Sequence, residues 1–339
     1  MAEINVTKPK RVTRNDVAKR AGVSSAVVSY VINGSKFVSE ERTEAVRKAI
    51  EELGYIPNVQ ARGLRTNSTM QIAFVCDNLR NDWLEGAEQI LFDQGYYVSH
   101  CYSRDGDEFV RRLITRNFDG IFMMSNRFST AQLNELADAG IPIVLYKTRN
   151  YGELHPRIKS VAPDIKDSII KAVNYLVLKG HKRIALIPPI RYKTNGTYND
   201  GFRISAYMDA LQQNGIEFSE GLVCLRTESM DSILSEVFSM LTASDIKDRP
   251  TAFIAGNDFI AVKIMEYVKK LGMKIPDDVA VIGADNTYLS TVVTPPLTSI
   301  DFSKEEFSVL MANTLLGLIR GEEAEDHFIP VSVVIREST

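Results

Sequence analysis

Residues 12–34, VTRNDVAKRAGVSSAVVSYVING, hold two short helical patterns separated by a glycine turn. Thr13 is placed to N-cap the first helix, and Asp16, three residues on, supplies a carboxylate to its first turn. Gly22 ends that helix, the apolar Val23 plugs the turn, and Ser24 caps a second helix that stops near Asn33 and Gly34. Helix, short turn and helix is an arrangement that reads DNA; a three-helix domain that docks on another protein is the alternative. Within the second helix Val27, Val28, Val31 and Ile32 follow i, i+1, i+4, i+5 spacing and are expected to face a small core. That leaves Ser25, Ala26, Ser29 and Tyr30 outward as candidate base readers. Serine and tyrosine hydroxyls bond to base edges or phosphates, and Ala26 offers a methyl-sized contact of the kind a thymine methyl accepts.

Charge divides the chain in the same place. Residues 1–65 carry a net charge of +5, whereas the remainder carries −8. A basic end on an acidic body concentrates phosphate affinity at the N-terminus and keeps DNA off the rest. Residues 1–11, with Lys8, Lys10 and Arg11, are expected to form a disordered arm. The 339 residues are 45% hydrophobic, ample for two further lobes. No apolar run reaches membrane-spanning length and no apolar signal region opens the chain, so the expected location is cytoplasmic, at the nucleoid, with no membrane partner. The three cysteines, Cys76, Cys101 and Cys224, are far apart in apolar runs and read as reduced core residues.

From Met70 onward, short apolar runs alternate with helical patterns, the signature of parallel sheets wound by helices. Strands are expected at 71–76, 97–100, 120–124 and 142–146 in a first lobe, and at 183–187, 222–225, 251–255 and 279–283 in a second. The segment Leu297 to Ile300 and a helix from Ser303 to Leu318 are expected to cross back to the first lobe. The expected fold class is therefore α/β: an all-α helix-turn-helix headpiece at 12–57, a linker at 58–69, and a core at 70–339 of two doubly wound parallel sheets. The lobes of that core are expected near 70–160 with 290–322, and 161–289 with 323–339. Two such lobes resemble periplasmic sugar-binding proteins, in which ligands bind between the lobes at the carboxyl ends of the strands.

The run from Val12 to Ser24, followed by Val28-Ser29 and Val31-Ile32-Asn33, resembles the headpiece of the LacI/GalR repressors. Tyr55-Ile56-Pro57-Asn58, then Ala61-Arg62-Gly63-Leu64, and the C-terminal Arg336-Glu337-Ser338 continue the likeness. The resemblance implies that Ser25, Ala26 and Tyr30 choose the operator and that Leu64 is the hinge leucine that wedges into the minor groove, bending the duplex. Arg65 beside it suits a narrow minor groove. Thr13, Ser24, Asn33, Tyr55, Asn58 and Ala61 complete the expected DNA contacts. The hinge from Val59 to Leu64 is too short to be helical alone, since nucleation is costly and Gly63 weakens it; DNA and a paired hinge must order it, unless it is a plain linker.

Strand-end residues carry the expectation of a ligand. Asn257-Asp258 and Asp285-Asn286 each follow a strand and a glycine, where a polyol or sugar is bonded in bidentate fashion. Asp258 and Asn286 read as helix caps, and Asn257, Asp285 and Arg203 as ligand contacts on the strength of the resemblance. Ser125 and Trp83 complete the expected effector set. The lone tryptophan either stacks on a sugar face or packs in the core or an interface, and Arg80 adds positive charge. Two departures stand out. The family commonly carries a carboxylate where this chain has Lys147; facing the cleft beside Arg203, with Arg191 or Lys193, that ammonium would favour a sugar phosphate or a carboxylate, whereas the alternative pairs it with Asp285 or turns it to solvent. The segments at 78–85 and after Tyr102 are also shorter than the family's, which alters the mouth of the cleft.

No phosphate-binding glycine loop, nucleophile elbow or metal-spaced cluster is present, and His100, His155, His181 and His327 are scattered, so neither enzyme activity nor a cofactor or metal is expected. The expected function is a sequence-specific transcriptional regulator, a repressor controlled by a small sugar-like effector; the alternative is a regulator whose core receives a protein partner. The expected assembly is a homodimer on a pseudo-palindromic duplex operator, and no heptad tail follows Arg336 to support a tetramer.

Overall fold

A computed structural model describes residues 12–56, 68–77, 84–190 and 201–339. The expected arm at 1–11, the hinge residues Asn58, Ala61, Leu64 and Arg65, and Arg80, Trp83, Arg191 and Lys193 lie outside the described residues. The chain divides into two compact units, Met1–Thr69 and Met70–Thr339.

Among the described residues of the first unit, three helices pack together: α1 (Arg14–Ala21), α2 (Ser25–Asn33) and α3 (Glu40–Leu53). Thr13 and Asp16 form a capping box: the Asp16 amide donates to Thr13 Oγ1 at 3.3 Å, and the Thr13 amide donates to Asp16 Oδ2 at 2.8 Å. Gly22 then stops α1 at φ +67°, a left-handed conformation that costs a side chain dearly. Val17, Ala18, Val28, Val46 and Ala49 close the core, with Val31, Ile32, Leu53 and Tyr55 packed around it. Thr13→Ala removes one cap bond and is expected to cost α1 about 1 kcal/mol. Amide exchange in the first turn of α1 should then speed by roughly fivefold, and an unchanged rate would mean that packing alone holds that end.

The second unit carries two sheets. Strands β1 (Gln71–Cys76), β2 (Tyr97–Tyr102), β3 (Gly120–Met124), β4 (Ile143–Leu145), β5 (Ile158–Pro163) and β10 (His327–Ile329) form the first, in the order β10-β5-β4-β3-β1-β2, every pair parallel. Strands β6 (Ile184–Ile187), β7 (Ala252–Ala255), β8 (Ala280–Ala284), β9 (Thr298–Phe302) and β11 (Val331–Val334) form the second, in the order β11-β9-β8-β7-β6, parallel except for β11 against β9. Nine helices among the described residues accompany these strands: α4 (Glu85–Asp93), α5 (Asp107–Thr115), α6 (Thr130–Asp138), α7 (Ile165–Leu178), α8 (Gly201–Gln213), α9 (Met230–Leu241), α10 (Asp258–Lys270), α11 (Tyr288–Val292) and α12 (Lys304–Arg320). Strands β1, β3, β4, β6, β7 and β8 are buried at almost every position, as helix-covered parallel sheets require, whereas the edge strand β2 is exposed or half-buried along its length. Helix α12 lies close on β3 because residue 120 is glycine; a Cβ there would sit 2.8 Å from Leu315 Cδ1.

The chain crosses between sheets after Pro163, after Phe302 and after Ile329. This corrects the expectation that 290–302 belongs with the first lobe: Thr298–Phe302 is a buried strand of the second sheet, in register with β8. It also moves 323–329 into the first lobe, through β10. A run of buried apolar residues does not itself declare which of two sheets it joins. The expected strand at 222–225 is a correction too, since Glu220–Leu222 is a 3-10 turn and only Val223 bridges to Leu186. Strands β5, β10 and β11 were absent from the sequence expectation, being short or broken by Lys159 and Pro163. Among the described residues no helix is long and apolar enough to cross a membrane.

Candidate DNA-reading helix and ligand cavity

On α2 the inward face is turned slightly from the expected one. Val28, Val31 and Ile32 meet the core, but Val27 is only partly covered and lies outside the apolar cluster. Ser29, expected outward, is 5% exposed, and its Oγ accepts from Asn33 Nδ2 at 3.2 Å. Successive residues rotate about 100° around a helix, so a face centred between Val28 and Ile32 must include position 29 and exclude 27. Ala26 and Asn33 are exposed on the other side, with Ser25 and Tyr30 partly so. Ser24 caps α2, its Oγ accepting from the Val27 amide at 3.3 Å, and Tyr55 packs on the bundle's core. The outward stripe is therefore Ala26, Tyr30 and Asn33, with Ser25 at its start.

In the second unit a cavity of about 140 Å³ opens where strands of both sheets end. Asn126 and Thr148 line it from the first lobe, Tyr146 beside them, and Arg203, Asn257 and Asp285 from the second, with Ile254, Ile300 and Phe302 among its apolar residues. Arg203, on the first turn of α8, is 5% exposed, and its Nη1 donates to the Thr148 carbonyl at 2.8 Å, so one guanidinium ties the two lobes. Gly256 lets the wall close: a Cβ there would lie 2.5 Å from the Pro189 nitrogen.

The Asp285 loop is built under strain. Asp285 and Asn286 hold φ of +89° and +44°, where non-glycine residues are uncommon. The Asp285 amide donates to the Ile300 carbonyl at 2.9 Å and the Asn286 amide to Ser299 Oγ at 3.0 Å. Arg336 Nη2 donates to Asn286 Oδ1 at 2.6 Å and its Nη1 to the Leu297 carbonyl at 2.7 Å, so the C-terminal tail braces the loop. Asp258, 1% exposed, completes the brace by accepting from the Thr287 amide at 2.6 Å, Thr287 Oγ1 at 2.9 Å and Ser299 Oγ at 2.6 Å.

These contacts correct two expected roles. Asn257, not Asp258, caps α10, its Oδ1 accepting from the Ile260 amide at 2.9 Å, while Asn257 still lines the cavity. Asn286 is a brace rather than a helix cap. Asp285 opens partly onto the cavity, and no donor among the described side chains bonds its carboxylate. Burial among protein atoms pushes it up to about 7, the Asp258 charge adds to the rise, and Lys304 and Arg203 oppose it. Tyr146 is held well above its ordinary value by burial, then by the Asp285 charge, with Arg203 opposing.

Lys147 and Ser125 do not line the cavity. Just beyond β4, Tyr146 and Thr148 line the cavity, and Lys147 between them does not. Ser125 Oγ donates instead to Asp77 Oδ1 at 2.6 Å, in a network where Arg127 Nε meets the same oxygen at 3.2 Å and Arg127 Nη1 meets Asp105 at 3.0 Å. Asn126, Tyr146 and Thr148 were missed from sequence; the signal available was the period-two alternation, which favours the neighbours of the two residues chosen.

A helix-turn-helix unit joined to a two-sheet core with a strand-end cavity defines a DNA-binding regulator. Residues 13–58 match the family described as bacterial regulatory proteins, lacI family, and residues 173–339 match the periplasmic binding protein-like domain. The HTH-type transcriptional repressor PurR of Vibrio atlanticus is 30% identical over 324 residues, spanning 92% of this chain and 93% of the relative. PurR of Pectobacterium carotovorum is 31% identical over 342 residues, spanning 96% of this chain and 95% of the relative. Among solved structures, the lac repressor dimer bound to operator and the anti-inducer ONPF has a TM-score of 0.80 at 26% identity, covering 97% of this chain and 99% of that one. The complex of the transcriptional regulator CelR with cellobiose has a TM-score of 0.69 at 28% identity, covering 97% of this chain and 100% of that one. The chain belongs to the lacI family of bacterial regulatory proteins, and it is a DNA-binding transcriptional regulator.

Proposed function

We propose that the protein is a cytoplasmic, homodimeric repressor whose affinity for a pseudo-palindromic operator is set by a small neutral ligand, sugar-like in its hydroxyl pattern, held in the cavity of the 70–339 unit. The observation that carries this reading is that Arg203 and Asp285 line one cavity together with the amide side chains of Asn126 and Asn257, hydroxyls such as that of Thr148, and apolar side chains. Asp285 accepts from ligand hydroxyls, the Asn257 amide and Thr148 hydroxyl add polar contacts, and the apolar floor takes the flat face of a ring. Lys147 outside the lining favours a neutral ligand over an anion. On the DNA side, Ser25, Ala26, Tyr30 and Asn33 meet the major groove, while Ser29 is withdrawn from that role by burial. Ligand and operator binding are coupled reciprocally, by about 1 to 3 kcal/mol, roughly 5 to 150-fold in affinity.

The experiment is a thermal-shift screen of the full chain against neutral sugars, sugar phosphates, uronates and nucleobases. A ligand at about 100 times its dissociation constant should stabilise the folded protein by roughly 2.7 kcal/mol. Arg203→Ala should abolish the shift. A response confined to anions would overturn the neutral-ligand reading, and a monomer by sedimentation with and without DNA would overturn the dimer.

A further inference from the structure

Arg203 belongs to the second lobe but is bonded to the first. Its Nη1 donates to the Thr148 carbonyl at 2.8 Å, and Thr148 is itself anchored, its Oγ1 donating to Asn126 Oδ1 at 2.9 Å. Protein atoms alone make this tie across the cavity. A rival acceptor lines the same cavity on the second lobe's own side: the Asp285 carboxyl, on which the Arg203 charge acts. The other charged groups that face Asp285 are committed elsewhere. Asp258 holds the Thr287 amide and the Ser299 hydroxyl, and Arg336 bonds Asn286 and the Leu297 carbonyl. Asp301 and Lys304 pair with each other, and the Lys304 ammonium lies 4.3 Å from the centroid of the Phe302 ring. Tyr146, beside them, keeps its proton. Among the described residues that line the cavity, Arg203 is the cation that an ionised Asp285 draws, since a carboxylate left unpaired there is costly.

We propose that Asp285 and the Thr148 carbonyl compete for the Arg203 guanidinium, so that a proton on Asp285 latches the two lobes together and its loss lets them part. With Asp285 neutral, Arg203 donates across the cleft. With Asp285 ionised, a charge-assisted bond inside the second lobe is roughly twice as strong as one to a neutral carbonyl, and the first lobe is released. The direction of the linkage follows. In the closed arrangement the carboxyl stands at about 7 against an ordinary 3.8; in the open one, water and the recaptured Arg203 hold it lower. Closure therefore takes up a proton, and the closed-to-open ratio rises as pH falls below about 7 and is constant above it. Acidity becomes a regulatory input through the same two side chains that meet the ligand. This inference rests on the cavity being the regulatory site proposed above, but its test needs neither ligand nor operator.

The full chain is spin-labelled at Glu135→Cys on α6 and Ser239→Cys on α9, both exposed, in a Cys101→Ser background that leaves the buried Cys76 and Cys224. It is diluted into unlabelled chain so that each distance is measured within one copy. From about pH 8 to about pH 5, double electron–electron resonance should show the closed distance gaining weight, by up to about tenfold in the closed-to-open ratio per unit of pH. Asp285→Asn should stay closed and Arg203→Gln open, each without a pH response. Lys304→Met removes a charge that favours the ionised carboxyl, so its response should persist with the midpoint moved to higher pH. Wild-type distances unchanged across the range would overturn the latch and leave the ligand reading standing. A pH response that survives in Asp285→Asn would overturn the role of that proton. Lobes that answer to pH but to no ligand of the screen above would instead overturn the ligand reading.

Discussion

Asp258→Ala is expected to destabilise the 70–339 unit by about 3 kcal/mol, because three donors that share one buried carboxylate lose it together and each unsatisfied group costs about 1 to 3 kcal/mol. The Thr287 amide suffers most, having no rotation by which to find another acceptor. Ser299 Oγ also lies 3.3 Å from the Ile300 carbonyl and keeps part of its bonding. In a unit of this size the thermal midpoint should fall by roughly 6 to 12 °C. Asp258→Asn keeps one acceptor oxygen and should lose less. A drop of under about 1 kcal/mol in the alanine variant would mean that Arg336 and the backbone alone hold the Asp285 loop.

Asp285→Asn should have the opposite sign. The carboxyl stands at about 7 in the folded protein against an ordinary 3.8. The folded state therefore holds a proton that the unfolded state has released. Stability from this group is complete at low pH, falls as pH rises from near 4 to near 7, and is constant above that. A displacement of that size corresponds to about 4 kcal/mol at most, and the group's access to the cavity reduces the expected gain in the asparagine variant to about 1 to 3 kcal/mol at pH 8. The advantage over wild type should shrink towards zero near pH 4. Parallel stability curves for the two proteins between pH 4 and 8 would show that Asp285 is ionised throughout. The same variant should lose the ligand response, since an amide cannot replace a carboxylate that accepts from two hydroxyls. A carboxyl held at such a cost and in strain at φ +89° fits a site built for a ligand rather than for stability.

Much of the fold was legible because local chemistry agrees with it. Thr13, Asp16 and Gly22 state where α1 begins and ends, and the same pattern of cap and glycine frames α2. In the core, runs such as Ile72–Cys76 and Ala252–Ala255 are apolar throughout, which is the mark of strands covered on both faces. The limits of that reading are equally physical. On α2 the difference between Val27 and Ser29 is a rotation of a helix by a fraction of a turn, and hydrophobicity alone chose the valine. The hydroxyl of Ser29 is tolerated inside because Asn33, one turn later, donates to it.

The site was legible by residue type and position, and less so by role. Arg203, Asn257 and Asp285 do line the cavity, whereas Lys147 and Ser125 sit one residue from side chains that do. A shift of one along an extended strand reverses the direction of a side chain, so an unaligned strand end leaves that choice open. The network around Asp77, which draws Ser125 and Arg127 to a carboxylate 48 and 50 residues away in sequence, has no local signature at all.

By itself the sequence determined that this protein has a helix-turn-helix unit with a basic bias, ahead of an acidic core of wound parallel strands, because caps, glycine turns and hydrophobic period act between residues close along the chain. Only the tertiary structure decided which sheet Thr298–Phe302 joins, which neighbour faces the cavity, and that Asp258 and Arg336 brace the loop carrying Asp285. Those outcomes depend on contacts between segments tens of residues apart, where burial and the pairing of polar groups, not local preference, set the lowest free energy.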